Sequence, residues 1–510
     1  MGRVRCAAIA ALLLLPGCGV SRDAAVTRGV GITDPDLPTV PTPGGPAGAD
    51  TTPELVSYPS PEVAFILGPQ LKAGSAANPW PWFDQNEIAR GLVHGAAFPT
   101  VPRVAPVTGT LSIDHGTRTV LGAGTRFSSE LAGGGALLIR DEALGTYLAY
   151  QVASIQSDSS LTLSQDWWPG SVTGVVAQRP IVSADQEDAF LNAQYYDLGL
   201  CLYLAYYRSG DARLLQQARD VADAWWRGIY ILEGANRDFG NTLAPRNVSL
   251  GSLMLRALDG RPEMWPWITE YTRVQFDTWV GRREDYDGLY YGVRDGGYML
   301  LYAAWLGAVH PDPAVRAEFR AKAVAAAQRY YLRLQRPDGS WRWDDAGETN
   351  FEEPFMVGLL LDGLIAVHRM TGDGAVASSI VRAVEHLHTQ DFRTDSVAQL
   401  PGLRWRGFYY ANHCASCPWG SEQLAGGSDR NTVREVRQLN ATVVHAYGYA
   451  YLLTHDPRFR AWGDEVFAAT YGHGQGPLAD DLYGLADYLP KQYNQSYRSS
   501  GHYLVWRNAP

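Results

Sequence analysis

One segment of the chain, residues 355–367, is apolar on nearly every side, and this feature most restricts the fold. Its sequence, FMVGLLLDGLIAV, lacks the polar stripe of a surface helix, so a helix formed by it must be surrounded by protein. Glu352 and Glu353 precede it, and Pro354 suits the first turn of a helix. The segment ends at residues 370–373, MTGD, which combine a helix stop with a new helix start. We therefore predict an antiparallel helix pair joined by a tight turn.

The same arrangement recurs along the chain. Further tight turns, rich in Gly, Asp and Pro, each separate an apolar segment from an amphipathic one. Buried helices surrounded by half-exposed partners satisfy both patterns. The predicted fold is therefore mainly α and built from five or six helical hairpins. The further turns lie at residues 208–211, 258–262, 310–313 and 455–457.

The first residues of the chain have the composition of an export signal. Arg3 and Arg5 precede an apolar run at residues 7–15, which is too short to span a bilayer by itself. Residues 15–18, LPGC, resemble the lipobox of bacterial lipoproteins, which implies cleavage before Cys18 and a lipid on its thiol. We expect an exported protein, anchored to a bacterial membrane and facing the periplasm or the exterior. A plain secretory signal is the alternative.

Composition and periodicity divide the chain further. After the signal at residues 1–18, residues 19–60 are rich in Thr, Pro, Gly and Ala, which predicts a disordered tether. Residues 61–104 form an aromatic lead segment that is expected to pack on the body. Residues 105–182 alternate apolar and polar side chains with a period of two, which predicts a small antiparallel β module. Residues 183–510 contain the helical repeats and are the predicted catalytic domain.

Charge and short motifs exclude several partners. The net charge of −10 argues against a nucleic-acid partner. Because no Gly-rich phosphate loop follows a strand, no nucleotide or redox cofactor is expected. Cys414 and Cys417 form a CxxC pair, for which a disulfide is favoured in an exported chain, while a metal half-site or a redox pair stays open. Asp285 and Asp287 could hold calcium in a weak loop, and no other metal is expected.

The long links between hairpins are the predicted functional region. The tight turns would lie on one face, and the links from each amphipathic helix to the next apolar helix on the other. These links are longer than a simple connection requires. They mix aromatic side chains, on which sugar rings stack, with carboxylates that bind sugar hydroxyls. The links lie at residues 184–188, 229–247, 282–296, 336–353 and 391–431.

The repeated pairs resemble the six-hairpin (α/α) toroid superfamily of carbohydrate-active enzymes. The link QRPDGSW at residues 335–341 and the helix start FEEPFMVGLLLDGL at residues 351–364 carry the likeness, which covers residues 183–471. It implies an (α/α)5–6 toroid that acts on a polysaccharide or oligosaccharide, without identifying a single family. A sixth hairpin would need the C-terminal segment, which we predict to be a closing strand or arm, or the N-terminal aromatic segment.

Glycoside hydrolysis is the leading prediction for the chemistry. It needs one carboxylic acid to protonate the leaving oxygen and a second carboxylate as base or nucleophile. Glu352 or Glu353 is the candidate for one role, and the second carboxylate comes from another repeat. The candidates for that second carboxylate are Asp238, Asp285 and Asp287. The predicted sugar-contacting residues are Trp341, Trp343, Tyr290, Tyr291, Asn412, Trp419 and Arg430.

Two alternatives stay open. The sequence YYANH at residues 409–413 resembles the Asn-His pairs with a nearby Tyr found in some toroid polysaccharide lyases. By that resemblance Asn412 would neutralise a uronate carboxylate, and His413 or Tyr410 would remove the adjacent proton. The alternative from another class is a non-catalytic glycan-binding lipoprotein.

Several residues inside apolar segments are expected to be structural. Asp197, Asp362 and His445 are predicted to form hydrogen bonds in the core rather than take part in chemistry. Cys201 is predicted to be a small buried hydrophobe. The Trp pair at residues 167–168, near the end of the β module, either stacks on sugar or packs against the helical body.

Overall fold

The protein is mainly helical, with an antiparallel eight-stranded sheet on its N-terminal side. This fold is described by a computed structural model, and all of the described residues fall within the unit Pro38–Pro510. They are residues 52–99, 103–133, 135–141, 146–167, 169–181, 184–232, 248–280, 290–341, 343–345, 348–392, 407–408, 430–471 and 490–510.

Two helices precede the sheet. α1 spans Pro61–Leu67 and α2 spans Pro81–Ala96, and each has a proline in its first turn, where a missing N–H costs little. The aromatic residues of this lead segment pack on the helical body, since the ring of Trp80 stacks on Phe467 with 4.4 Å between centroids. Asp84 of α2 also forms a buried ion pair with Arg208.

The β module has its own hydrophobic core. The strand order is β1-β8-β4-β5-β6-β3-β2-β7, and β5 is long enough to pair with both β4 and β6. Val120, Leu137 and Trp167 are fully buried within it. The indole N–H of Trp167 donates to the carbonyl of Gly170, so this tryptophan packs inside the module. The strands are β1 (Arg103–Pro106), β2 (Thr110–Ile113), β3 (Thr119–Ala123), β4 (Ala136–Asp141), β5 (Thr146–Ser157), β6 (Ser160–Leu163), β7 (Val172–Val175) and β8 (Gln178–Ile181), with a short helix α3 (Phe127–Glu130) between β3 and β4.

The five predicted tight turns all separate two helices in the structure, so the hairpin prediction is confirmed. A helix α4 (Ala184–Gln194) precedes the first hairpin, and a β-hairpin of β9 (Trp343–Asp345) and β10 (Glu348–Phe351) precedes the fourth. The pairs are α5 (Leu198–Ser209) with α6 (Ala212–Leu232), α7 (Leu250–Leu258) with α8 (Trp265–Trp279), α9 (Tyr290–Val309) with α10 (Pro313–Ala326), α11 (Pro354–Thr371) with α12 (Gly374–His386), and α13 (Arg430–Thr454) with α14 (Pro457–Tyr471). A 3-10 turn (Pro262–Met264) leads into α8, π-helical turns extend α10 (Ala327–Tyr331) and α12 (Leu387–Asp391), and Leu332–Leu334 ends the α10 segment.

The turn between α11 and α12 shows why the sequence signals were sufficient. α11 ends at Gly372, whose φ of 71° is a left-handed conformation that costs other residues energy. Asp373 then caps α12 by accepting a hydrogen bond from the N–H of Ala375 at 2.8 Å. The turn before α10 uses Asp312 in the same way, with the N–H of Ala314 as donor.

α11 is surrounded by protein, as its sequence predicted. Residues 354–367 are buried except for Asp362, which is partly exposed. α9 and α13 pack against this helix, and α12 also contacts it. Within the described part of the chain, α11 is the one helix long and apolar enough to cross a membrane. Its burial among other helices accounts for that composition.

Two predicted segments differ from the structure. The C-terminal segment, expected to be a strand or arm, forms the buried helix α15 (Pro490–Trp506). The hydrophobic pattern did not predict this helix because many of its buried residues are polar. These residues form hydrogen bonds to other buried groups; the amide of Asn494, for example, donates to the carbonyls of Ala193 and Tyr195. The predicted link at residues 184–188 instead belongs to α4.

The buried helices contact one another in series. α5 packs on α7, α9 on α11, α11 on α13, α13 on α15, and α15 on α5. The contacts between α11 and α13 follow the same order along both helices, so these two helices are parallel. Thr442 donates to the carbonyl of Phe355 toward the start of α11, and Tyr449 bonds to His368 toward its end.

Glycine permits the closest approach between α11 and α13. A Cβ at Gly358 would lie 2.5 Å from the carbonyl oxygen of Thr442. We expect Gly358→Ala to lower the free energy of unfolding by about 1–3 kcal/mol, because backbone atoms must move apart. Gly374→Ala in α12 is the matched control, since nothing lies within 4 Å of the added methyl group. Chemical denaturation of both variants tests this, and an unchanged midpoint for Gly358→Ala would contradict it.

Candidate active site

The first turns of several buried helices meet at one end of the helical body. A Cβ at Gly199, near the start of α5, would lie 2.6 Å from Ser252, near the start of α7. Asn494, in the first turns of α15, bonds to the carbonyl of Tyr195 just before α5. Side chains from segments that are distant in sequence are therefore brought to a common region, where the positive ends of helix dipoles favour negative groups.

Glu353 lies at this end, as the N-cap residue of α11. Its side chain makes no capping hydrogen bond and is 7% exposed. Burial raises the pKa of Glu353 to about 7, and the positive charge of Arg294 on α9 opposes that rise only in part. A carboxyl group with such a pKa is substantially protonated at neutral pH and is suited to donate a proton.

Glu352, one residue earlier, has different surroundings. One of its oxygens accepts a hydrogen bond from the backbone N–H of Trp341 at 2.9 Å, and the other lies 3.0 Å from Nε2 of His386. Burial also raises the pKa of Glu352, while His386 opposes the rise. Through these contacts Glu352, which follows β10, is held between the segment that precedes β9 and the end of α12. The two adjacent carboxyl groups, which were equal candidates in the sequence, therefore have different partners.

The structure places the residues that were predicted to contact sugar in different surroundings. Trp341 is 2% exposed, and its indole N–H donates to the carbonyl of Tyr331 at 2.8 Å, so its ring is not available to a ligand. Tyr290 and Tyr291, expected in a connection, begin α9. Trp343 begins β9 and Arg430 begins α13. The remaining predicted residues, Asp238, Asp285, Asp287, Tyr410, Asn412, His413, Trp419, Cys18, Cys414 and Cys417, lie outside the described residues.

A group of tyrosines that the sequence prediction missed lies at the same end. The rings of Tyr195 and Tyr196 are 4.5 Å apart between centroids, and Tyr196 is 6.4 Å from Tyr298 of α9. The ammonium group of Lys491, from the start of α15, lies 4.7 Å from the ring of Tyr195. We refer to Tyr195, Tyr196 and Tyr298 as the tyrosine cluster. Tyr195 is half-buried and so retains a surface that a ligand can contact.

The backbone beside the tyrosine cluster is strained. Tyr196 and Asp197 have φ values of 67° and 75°, a conformation that is costly for residues other than glycine. Asp197 holds it by accepting hydrogen bonds from the N–H groups of Leu200 and Ser252, each at 3.0 Å. Burial raises the pKa of Asp197 to about 6, against the effect of these bonds. Asp197 therefore caps α5 and ties it to α7, a structural role as predicted.

A charged cluster lies deeper, between α11, α13 and α15. Nε2 of His445 lies 2.9 Å and the guanidinium of Arg498 3.3 Å from the Asp362 carboxylate, which also accepts a hydrogen bond from the hydroxyl of Ser499 at 3.1 Å. Burial alone would raise the pKa of Asp362, but His445 and Arg498 outweigh it and lower the pKa to about 2. A cavity of about 30 Å³ adjoins the cluster and has room for about one or two waters. The core hydrogen bond predicted for Asp362 is therefore present, whereas His445 contacts Asp362 as a buried ion-pair partner.

Sequence reasoning missed several polar residues because their helices were classified by apolar content. Arg498 lies on α15, which was not predicted to be a helix, and contacts Tyr298 of α9. His386 and Asp391 lie at the end of α12 and face Glu352. A charged residue inside an apolar repeat helix indicates a buried charge, and a buried charge requires a buried partner. This pattern could have identified these residues.

The raised pKa of Glu353 predicts how the stability of the folded protein depends on pH. Between about pH 4.5, its ordinary pKa, and pH 7, the folded state binds a proton that the unfolded state has lost. Stability from this group therefore falls as the pH rises through that window. We expect Glu353→Gln to be more stable than wild type at pH 8, by at most about 3 kcal/mol, and similar at pH 4.

Thermal unfolding at both pH values checks this expectation. Glu62→Gln on α1, which removes a carboxylate from the same protein at a more exposed position, is the control. A Glu353→Gln variant that is less stable than wild type at pH 8 would show that Glu353 makes stabilising contacts as a carboxylate.

No protein-family model, curated protein or solved structure matches the chain.

Proposed function

We propose that the protein is a glycan-degrading enzyme, a glycoside hydrolase built on an (α/α)6 toroid. The contacts of α5 with α7 and the series from α9 through α11, α13 and α15 back to α5 support the toroid. A Cβ at Gly251 of α7 would lie 3.1 Å from the ring of Trp305 of α9, which brings these two helices together as well. The sixth pair would be formed by α15 and α2, which contact each other. In this arrangement the N-terminal ends of the buried helices line one mouth, where a polysaccharide or oligosaccharide would bind.

The observation that carries the proposal is the carboxyl group of Glu353. It is buried at the start of α11, its pKa is near 7, and it makes no capping bond to the helix it begins. We assign it the role of general acid, which gives its proton to the glycosidic oxygen as the sugar–oxygen bond breaks. Within the tyrosine cluster, the half-buried ring of Tyr195 would stack on a sugar ring at the same mouth.

The second carboxylate comes from the long links. Asp238, Asp285 and Asp287 are the candidates, and either it or a water that it activates attacks the anomeric carbon. The distance between the two carboxyl groups decides whether the configuration is retained or inverted. No cofactor is required for this chemistry, and calcium at Asp285 and Asp287 would be structural.

One assay separates the candidate functions. The soluble body of the protein is incubated with a panel of polysaccharides, and both reducing ends and ultraviolet absorbance are measured. New reducing ends without absorbance support hydrolysis. Both signals together would indicate elimination by a lyase and contradict the hydrolase. Binding to a glycan without either signal would indicate a glycan-binding lipoprotein.

We also propose that a lipid on Cys18 anchors the enzyme. Acyl chains supply about 0.8 kcal/mol of membrane affinity for each buried methylene group. In a bacterial host we expect the full chain to fractionate with membranes and Cys18→Ser to become soluble. Cys6→Ser, which changes a cysteine within the signal, should stay with the membranes. Membrane retention of Cys18→Ser, measured by immunoblotting, would contradict the anchor.

A further inference from the structure

Three ionisable side chains from two separate segments meet in the protein interior. Glu352 precedes α11, whereas His386 and Asp391 lie at the end of α12, and all three are at most 2% exposed. One ligand atom from each residue lies within 4.8 Å of the other two. Nε2 of His386 is 3.0 Å from a Glu352 oxygen and 3.6 Å from an Asp391 oxygen. We call these residues the Glu–His–Asp cluster.

The local helix geometry produces the cluster. α12 ends at His386 and continues as a π-helical turn, Leu387–Asp391. An i→i+5 repeat brings residues five positions apart to the same side, which an α-helix would not do. His386 and Asp391 have that spacing, so the π turn aims both at the oxygen of Glu352. Such turns occur frequently at functional sites.

The separations fit ligands around one small cation. Zinc binds imidazole nitrogen and carboxylate oxygen at about 2.0–2.2 Å, so neighbouring ligands of a tetrahedral site lie about 3.4 Å apart. The observed 3.0 and 3.6 Å bracket that value. The 3.0 Å pair lacks the alignment of a hydrogen bond, so the contact does not satisfy the buried nitrogen and oxygen as a hydrogen bond would. A cation between them would satisfy both.

A divalent cation also fits the burial of the cluster. An ionised carboxylate is costly in the protein interior without a counter-charge, and a cation held by Glu352 and His386 would supply one.

We propose that the Glu–His–Asp cluster binds a divalent first-row transition metal, with zinc the best fit. Nitrogen and oxygen donors in this number suit zinc, and three protein ligands leave a fourth position for solvent. The metal would fix the residue that follows β10, directly before Glu353, to the end of α12. An open surface cavity of about 540 Å³, lined by Asp338, Arg382 and His386 among others, gives access. The site is independent of the proposed hydrolysis.

Metal binding by the purified protein tests the proposal. The chain is treated with a chelator, dialysed, and titrated with zinc chloride in a calorimeter at pH 7. The protein used carries Cys414→Ser and Cys417→Ser, so that thiolate binding at the CxxC pair cannot contribute. We expect one equivalent to bind. His386→Gln and Glu352→Gln should each weaken binding at least about 100-fold, since loss of a partner outside the ligand shell alone costs 10–100-fold.

His455→Asn is the matched control, because it removes an exposed imidazole from the turn after α13, where Asn tolerates the φ of 54°. It should bind zinc like the parent protein. Absence of binding by the parent, or equal binding by His386→Gln, would overturn the proposal. If the ligand variants do not fold, anomalous scattering at the zinc edge from crystals of the parent protein decides. A peak between Glu352 and His386 supports the site, and a peak elsewhere or none contradicts it.

Discussion

Glu353→Gln is expected to lower kcat on a natural glycan by about 10²–10⁴-fold, the usual contribution of a general acid. Glutamine keeps the size of the side chain but cannot donate the proton that the leaving sugar oxygen needs. The KM should change little, because Glu353 is 7% exposed and the half-buried ring of Tyr195 would contact the sugar in its place. The measurement is steady-state hydrolysis of the glycan identified by the polysaccharide panel.

The leaving group distinguishes an acid from a structural residue. Aryl glycosides with acidic phenols leave without protonation, so Glu353→Gln should retain far more of its activity on them than on the glycan. The wild-type rate should fall as the pH rises through about 7, where Glu353 loses its proton, and this limb should be absent in the variant. Glu62→Gln, on α1, should behave as wild type in both assays. Full activity of Glu353→Gln on the glycan would remove Glu353 from the mechanism.

The hairpins could be predicted from the sequence because local signals and burial agree in them. Residues 355–367 must be enclosed, and Gly372 and Asp373 end one helix and begin the next through local backbone geometry and capping. The β module was predictable for the same reason, since alternating residues such as those of β2 and β6 face a core on one side. Pattern and structure coincide wherever apolar residues alone decide burial.

α15 was predicted incorrectly because it is buried by polar contacts. The buried face of α15 includes Ser496, Ser500, Tyr493 and Tyr497. A search for apolar residues does not detect such a face. Its partners, such as the hydroxyl of Tyr471 with Ser500, come from elsewhere in the chain. The partner of a buried polar group is set by the tertiary structure and cannot be identified from one sequence.

The candidate site was predictable only in part for a similar reason. Glu352 and Glu353 are adjacent and chemically alike, and the sequence offers nothing that separates them. Their surroundings differ because the two side chains approach different helices at the start of α11. Glu352 lies beside His386 at the end of α12, whereas the positive charge of Arg294 on α9 acts on Glu353. Asp391 comes to lie beside His386 only through the π-helical turn, which no sequence motif predicted.

Asp362→Asn is expected to lower the free energy of unfolding by about 3–5 kcal/mol, the usual effect of removing one partner of a buried ion pair. Asp362 forms ion pairs with His445 and Arg498 and accepts a hydrogen bond from Ser499, and these partners lie on two helices. Asparagine preserves the shape but leaves the guanidinium of Arg498 buried without its counter-charge. Chemical denaturation at pH 7 measures the change. Asp456→Asn, which removes an exposed partner of Arg458, should cost less than about 1 kcal/mol.

The dependence on pH identifies the charge of Asp362 as the cause. Its pKa is lowered from 3.8 to about 2 in the folded state, so its stabilising effect is complete above pH 3.8 and is lost as the pH falls through 2. The gap in stability between wild type and Asp362→Asn should therefore stay constant from pH 7 to about pH 4 and narrow below it. Because Asp362 and His445 act as one unit, Asp362→Asn combined with His445→Gln should cost less than the sum of the single changes. Additive costs, or a gap unaffected by acid, would show that shape rather than charge holds α11, α13 and α15 together.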